Sequence, residues 1–160
     1  MDLLSTPTIA GDLLIIGIYG PCVVIGVERA TGMLGWSTRL DNHPASLVAV
    51  SGTFYNWDFY VGTSSLEEAS DQEHCCTFRG SLCKLDTKSG AILWKTLTLP
   101  DNGGGMGEYA GAAPLHVREC QEMENNQTVP TEPDQFVEPE NHSDSILAFD
   151  LDTGDVKWYM

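Results

Sequence analysis

The chain has 160 residues, 42% hydrophobic and 19% charged, with 8 Lys and Arg against 23 Asp and Glu for a net charge of -15. That balance excludes a nucleic-acid binder, which needs clustered cations for phosphates; it reads as an acidic, solvated surface. No window offers the ~20 unbroken apolar residues of a membrane-spanning helix.

Met1-Asp2-Leu3-Leu4 has neither the basic start nor the long apolar core of a signal peptide. Thr8-Ile9-Ala10, a turn at Gly11-Asp12 and the apolar run Leu13–Tyr19 predict two strands. Gly20-Pro21 breaks the run, and Val23–Val27 opens a hairpin that returns through Met33-Leu34-Gly35-Trp36. These four strands make a first unit over about 3–40. A second unit, over about 45–99, opens with Ala45–Val50, turns at Ser51-Gly52 and returns through Phe59–Thr63. A long loop from Ser64 to near Gly80 then precedes a hairpin over 81–99; a loop of this length is functional or disordered. The third unit, about 108–160, is expected to be incomplete. It follows the glycine-rich turn Asp101–Gly107, and its stretch 116–144 carries eight acids and one Arg and reads as an irregular acidic loop. No outer strand pair precedes its final hairpin.

The three hairpins spell one phrase: Val24–Trp36, Leu82–Trp94 and Ile146–Trp158. Each carries an apolar pair, an acid (Glu28, Asp86, Asp150), a Thr or Ser before a glycine (Gly32, Gly90, Gly154), and a Trp four residues later. The glycines are spaced by 58 and 64 residues. Acid and glycine suit a tight turn, which makes Asp86 and Asp150, like Asp41 and Asp101, turn residues before anything else. One hairpin cannot bury a Trp, so neighbouring repeats must stack. That is the logic of a β-propeller built from four-stranded blades; a β-sandwich is the alternative. Trp36, Trp94 and Trp158 then read as packing residues rather than a cofactor-stacking set. A blade takes ~40–50 residues and the smallest rings have about four blades. The chain is therefore expected to be one partial domain of about two blades and an incomplete third, a fragment or truncated product whose open blade edges associate with other chains.

This phrase resembles the repeats of pyrroloquinoline-quinone (PQQ) dehydrogenases and their non-catalytic propeller relatives. Asp41–Ser46, Ser51–Tyr55, Val61–Glu68, Cys75–Ser81 and Leu99–Asn102 are similar to plant proteins named polyvinyl-alcohol-dehydrogenase-like. The resemblance covers nearly the whole chain. It implies alcohol oxidation with PQQ and Ca2+, Cys75, Cys76 and Arg79 beside the cofactor, and Glu108 on the metal. It also implies a further strand-bearing stretch between Ala113 and Pro114 that this sequence lacks, and it supplies no matching catalytic Asp.

In the relatives a vicinal disulfide lies against the cofactor ring, with an Arg on a cofactor carboxylate. Adjacent Cα atoms lie about 3.8 Å apart, below the usual disulfide range, so such a ring distorts the backbone. The alternatives are a bridge from one of the pair to Cys83 or Cys120, or a zinc cluster of His74, Cys75, Cys76 and Cys83 that lacks paired ligand spacing. Five cysteines leave at least one thiol unpaired. Sequons at Asn126 and Asn141, taken with the resemblance, imply a parent protein in the secretory pathway. Three functions follow: a piece of a quinoprotein oxidoreductase acting on a small alcohol, a non-catalytic propeller scaffold that binds partners, or a chain inactive on its own because a ring's site gathers residues from all blades.

Overall fold

A computed structural model of the chain describes residues 5–67, 77–99 and 145–160. Cys75, Cys76, Glu108, Cys120, Asn126 and Asn141 lie outside the described residues. Every regular element among the described residues is a strand. In chain order these are β1 (Thr8–Ala10), β2 (Leu13–Ile18), β3 (Val23–Glu28), β4 (Leu34–Arg39), β5 (Ser46–Leu47), β6 (Thr53–Tyr55), β7 (Asp58–Ser65), β8 (Ser81–Asp86), β9 (Ile92–Leu97), β10 (Leu147–Phe149) and β11 (Val156–Tyr159).

β1–β4 form one antiparallel sheet in sequence order. In the second sheet β7, β8 and β9 follow one another, and the edge beside β7 is broken into β5 and β6. β5 pairs with the far end of β7 (Ser46 opposite Ser65) and β6 with its start (Tyr55 opposite Asp58). Between them the chain leaves the ladder, and Val48, fully buried, sits where a Cβ on Gly17 of β2 would lie 2.4 Å from its methyl. The second sheet's tight turn is not at Ser51-Gly52. It falls at Asn56-Trp57, both in the left-handed region (φ 50° and 68°), the pair of positive φ values that a two-residue hairpin turn requires. The third sheet is the hairpin of β10 and β11.

The repeated phrase builds one turn three times. The amides of Gly32, Gly90 and Gly154 each donate at 2.8 Å to the carbonyl of the acid four residues earlier (Glu28, Asp86, Asp150). Each glycine has a positive φ, of 74°, 73° and 82°, which costs glycine nothing. The residue after each glycine donates its amide to the hydroxyl before it: Met33 to Thr31, Ala91 to Ser89 and Asp155 to Thr153. The register slips at one place in all three hairpins, at Gly26/Val27, Lys84/Leu85 and Ala148/Phe149, a bulge that re-aims the return strand.

That return strand carries the Trp. Trp36 lies between Gly26 of its own sheet and Gly90 of the next, each so close that a Cβ would sit 2.4 Å from the indole. Its Nε1 donates to Thr87 O at 2.9 Å, and Thr38 Oγ1 donates to Gly90 O at 2.6 Å. Trp94 repeats the arrangement one sheet on, with Nε1 on Leu151 O at 3.1 Å and Thr96 Oγ1 on Gly154 O at 2.6 Å. Each sheet is thereby locked to its successor. One core runs through the first two, with Ile15, Cys22 and Val24 packed in the same cluster as Val48, Phe59, Val61, Cys83 and Leu85. The architecture is an all-β partial propeller of antiparallel blades.

Candidate functional site

Of the two internal segments outside the described residues, 68–76 has both flanks joined by one side chain, and 100–144 has its first flank, Leu99, held by another. Glu67, 6% exposed, follows the end of β7 and faces the residues that re-enter at Thr77. Its Oε1 accepts from Thr77 N at 3.0 Å and from Thr77 Oγ1 at 2.6 Å, and its Oε2 accepts from Phe78 N at 2.8 Å. One carboxylate thus closes the nine-residue segment that holds Cys75 and Cys76.

His43 extends this arrangement into the link between the first two sheets. Ala45 N donates to His43 Nδ1 at 3.2 Å, which leaves the ring hydrogen on Nε2. Nε2 lies 2.7 Å from Thr77 Oγ1, so donors run in one direction from Ala45 through His43 and Thr77 to Glu67. The ring also meets Phe78 edge-on, with centroids 5.6 Å apart. Burial opposes ionisation of Glu67. The bonds from Thr77 and Phe78 outweigh burial and hold the carboxyl below its ordinary value.

Asp41 anchors the same link. Its Oδ1 accepts from His43 N at 2.7 Å, while Oδ2 pairs with Lys95, which also donates to Leu40 O at 2.9 Å. Burial pushes the Asp41 carboxyl up, but the Lys95 bond, the His43 amide and the Lys95 charge bring it below its usual value. Arg79 binds the far side: Nε and Nη2 donate to Leu99 O at 3.0 and 2.7 Å, fixing the residue that leads into 100–144.

Beneath this rim sit two buried thiols. Burial raises both Cys22 and Cys83, against the opposing bonds from Ser46 and Ser81 respectively. Both are free thiols, so the bridge considered between the adjacent cysteine pair and Cys83 is not formed.

A calcium ion wants six to eight oxygens. Among the described residues no group of three His, Cys, Asp or Glu is placed to hold a metal, and the Asp41 and Glu67 carboxylates are already engaged by protein donors. The Nε/Nη2 edge of Arg79, expected on a cofactor carboxylate, is on Leu99 O. The described residues do not by themselves make a PQQ and calcium site. Cys75, Cys76 and Glu108 lie outside the described residues, and Arg79 is seen only with its Nε and Nη2 on Leu99 O.

Of the repeat residues, Trp36 and Trp94 are docked, Gly90 and Gly154 are buried beneath them, and Gly32 and Trp158 are exposed. Glu67, Thr77 and His43 are the residues that sequence reasoning missed. Their separations, 10 residues and 34, match no short motif; the available signal was an acid directly after a strand and before a long loop.

The fold is that of a propeller sector, and the chain's sequence relatives are dehydrogenases. It is 34% identical over 146 residues to a polyvinylalcohol dehydrogenase of Sphingopyxis sp. (strain 113P3), covering 84% of this chain and 22% of that protein. It is 30% identical over 146 residues to a polyvinylalcohol dehydrogenase of Pseudomonas sp., covering 84% and 23%. The chain thus spans about a fifth of the length of the curated relatives it matches. Neither is the plant protein that the sequence suggested. No family profile matches the chain. Among solved structures, a europium-containing methanol dehydrogenase superposes with a TM-score of 0.60 at 14% identity, over 96% of this chain and 31% of that one. The quinohemoprotein alcohol dehydrogenase ADHIIG from Pseudomonas putida HK5 gives 0.50 at 17%, over 59% and 13%. These two speak for the fold alone.

Proposed function

We propose that this chain is a sector of a quinoprotein-type oxidoreductase that converts an alcohol to a carbonyl compound. The observation that carries the reading is the 34% identity to a polyvinylalcohol dehydrogenase across 84% of the chain. The role assigned to the described residues is positional. Glu67 joins the flanks of the segment that carries Cys75 and Cys76, and Arg79 holds Leu99 at the entry to the segment that carries Glu108, the residues proposed for PQQ and Ca2+. The substrate class is a small alcohol; the sequons at Asn126 and Asn141, taken together with the family resemblance, support a parent protein in the secretory pathway.

The test is a titration of the folded chain with PQQ and calcium, following cofactor absorbance and thermal stability together. A saturable shift that is lost in Cys75→Ser is the expected result. No shift, in a chain that melts cooperatively, overturns the cofactor assignment for this chain. It would leave a second reading, a partner-binding propeller module.

A further inference from the structure

Both ring nitrogens of His43 are engaged, and they hold different parts of the chain. Nδ1 accepts from Ala45 N at 3.2 Å, on the link between the first two sheets. Nε2 donates to Thr77 Oγ1 at 2.7 Å, where the chain re-enters beside Glu67. The side chain is 22% exposed, so solvent protons reach the ring. The two contacts respond differently to a proton. An imidazolium has no acceptor, so its Nδ1–H would face the Ala45 N–H and that bond is lost. Nε2 stays a donor to Thr77, and a positive charge then stands 3.5 Å from Glu67 Oε1. Among the described residues the charged groups around the ring are Glu67 and Asp41. Asp41 takes the His43 amide at 2.7 Å and is paired with Lys95 of β9. Phe78 meets the ring edge-on and carries no charge. A proton therefore moves the hold of the ring from the link to the Thr77–Glu67 staple.

We propose that His43 is a proton-operated clasp: neutral, it ties the Ala45 amide to the staple, and protonated, it lets that amide go and keeps the staple. An imidazole changes charge between about pH 5 and 8. Glu67, held below its ordinary value, stays a carboxylate throughout that range. Ser46 keeps its amide on His43 O at 3.0 Å, and Leu66 keeps its amide on Ala45 O at 3.0 Å. What loosens is thus the Ala45 amide and not the start of β5. The inference does not depend on the oxidoreductase reading.

Amide hydrogen exchange of the full 160-residue chain tests it, read residue by residue by NMR across that pH range and corrected for intrinsic rates. Ala45 protection is expected to fall about tenfold as pH drops, the size set by one hydrogen bond. Its midpoint should match that of the His43 ring resonances, while the Thr77 and Phe78 amides keep their protection. His43→Asn retains a side-chain oxygen for the amide two residues on and takes up no proton there. Its Ala45 protection should therefore not depend on pH. Protection at Ala45 that stays constant in wild type while the ring titrates overturns the proposal, and that result needs no variant to fold. A loss that persists in His43→Asn overturns it too. So does a loss shared by Thr77 and Phe78, which would mean that the whole rim opens.

Discussion

Glu67 gives up water and recovers its bonds from Thr77 and Phe78, and the balance of those two effects sets its pH behaviour. The folded carboxyl lies below its ordinary 4.5, and that of Asp41 below 3.8. A depressed acid contributes stability that is present above the unfolded value and lost as pH falls through the folded one. Thermal melts should therefore hold level down to about pH 5 and then fall, and Glu67→Gln should flatten that fall. At neutral pH the same substitution turns an amide donor toward the Thr77 and Phe78 N–H groups. It should cost about 1–3 kcal/mol in urea unfolding; a smaller loss would mean that the staple does not hold. None of this was legible in the sequence, because the three residues that meet there share no spacing and each reads as a loop residue alone. Arg79 was legible as a residue of interest, but its fork meets a carbonyl, and a carbonyl leaves no trace in residue identity.

The hairpin is the element whose sequence and structure agree most closely. Acid, hydroxyl, glycine and Trp each occupy a seat that the others define, so the pattern survives even where strand residues vary. Asp150 shows how tightly the turn holds its acid: Lys157 and the amides of Asp152 and Thr153 bring its carboxyl to about 2. What the pattern omits is the partner. That Trp36 belongs to the next repeat's glycine follows only from stacking. Gly90→Ala puts a methyl into the indole at a positive φ and should cost more than the ~1 kcal/mol of an ordinary glycine replacement. Trp36→Phe loses the bond to Thr87 O and should cost about 1 kcal/mol or more, whereas Trp158→Phe should leave monomer stability unchanged. Chemical denaturation of the three variants checks the ranking, and equal losses at Trp36 and Trp158 would contradict the docking account. The turn at Asn56-Trp57 escaped notice for a related reason: a Trp reads as a strand residue, and here its carbonyl is tied to Thr87 Oγ1 at 2.7 Å in a left-handed conformation.

At the scale of the molecule, a net charge of -15 opposes compaction, and salt screens such repulsion over about 10 Å at 0.1 M. The melting temperature is expected to rise with added sodium chloride. A fall would show that the half-buried ion pairs, Lys84 Nζ with Asp58 Oδ2 at 3.0 Å and Lys95 with Asp41, outweigh the general repulsion. The buried thiols add a consequence of their own. Cys22, in the turn before β3 of the first sheet, and Cys83, in β8 of the second, are both fully buried in one core cluster, and burial disfavours the thiolate that an alkylating reagent attacks. Each is silent until its surroundings open, so the rate of carbamidomethylation at each site is a clock for local unfolding. If the two clocks run together under mild denaturant, the blades exchange as a single cooperative unit; if Cys83 runs ahead of Cys22, the chain comes apart blade by blade, and the interlocking tryptophans set the order.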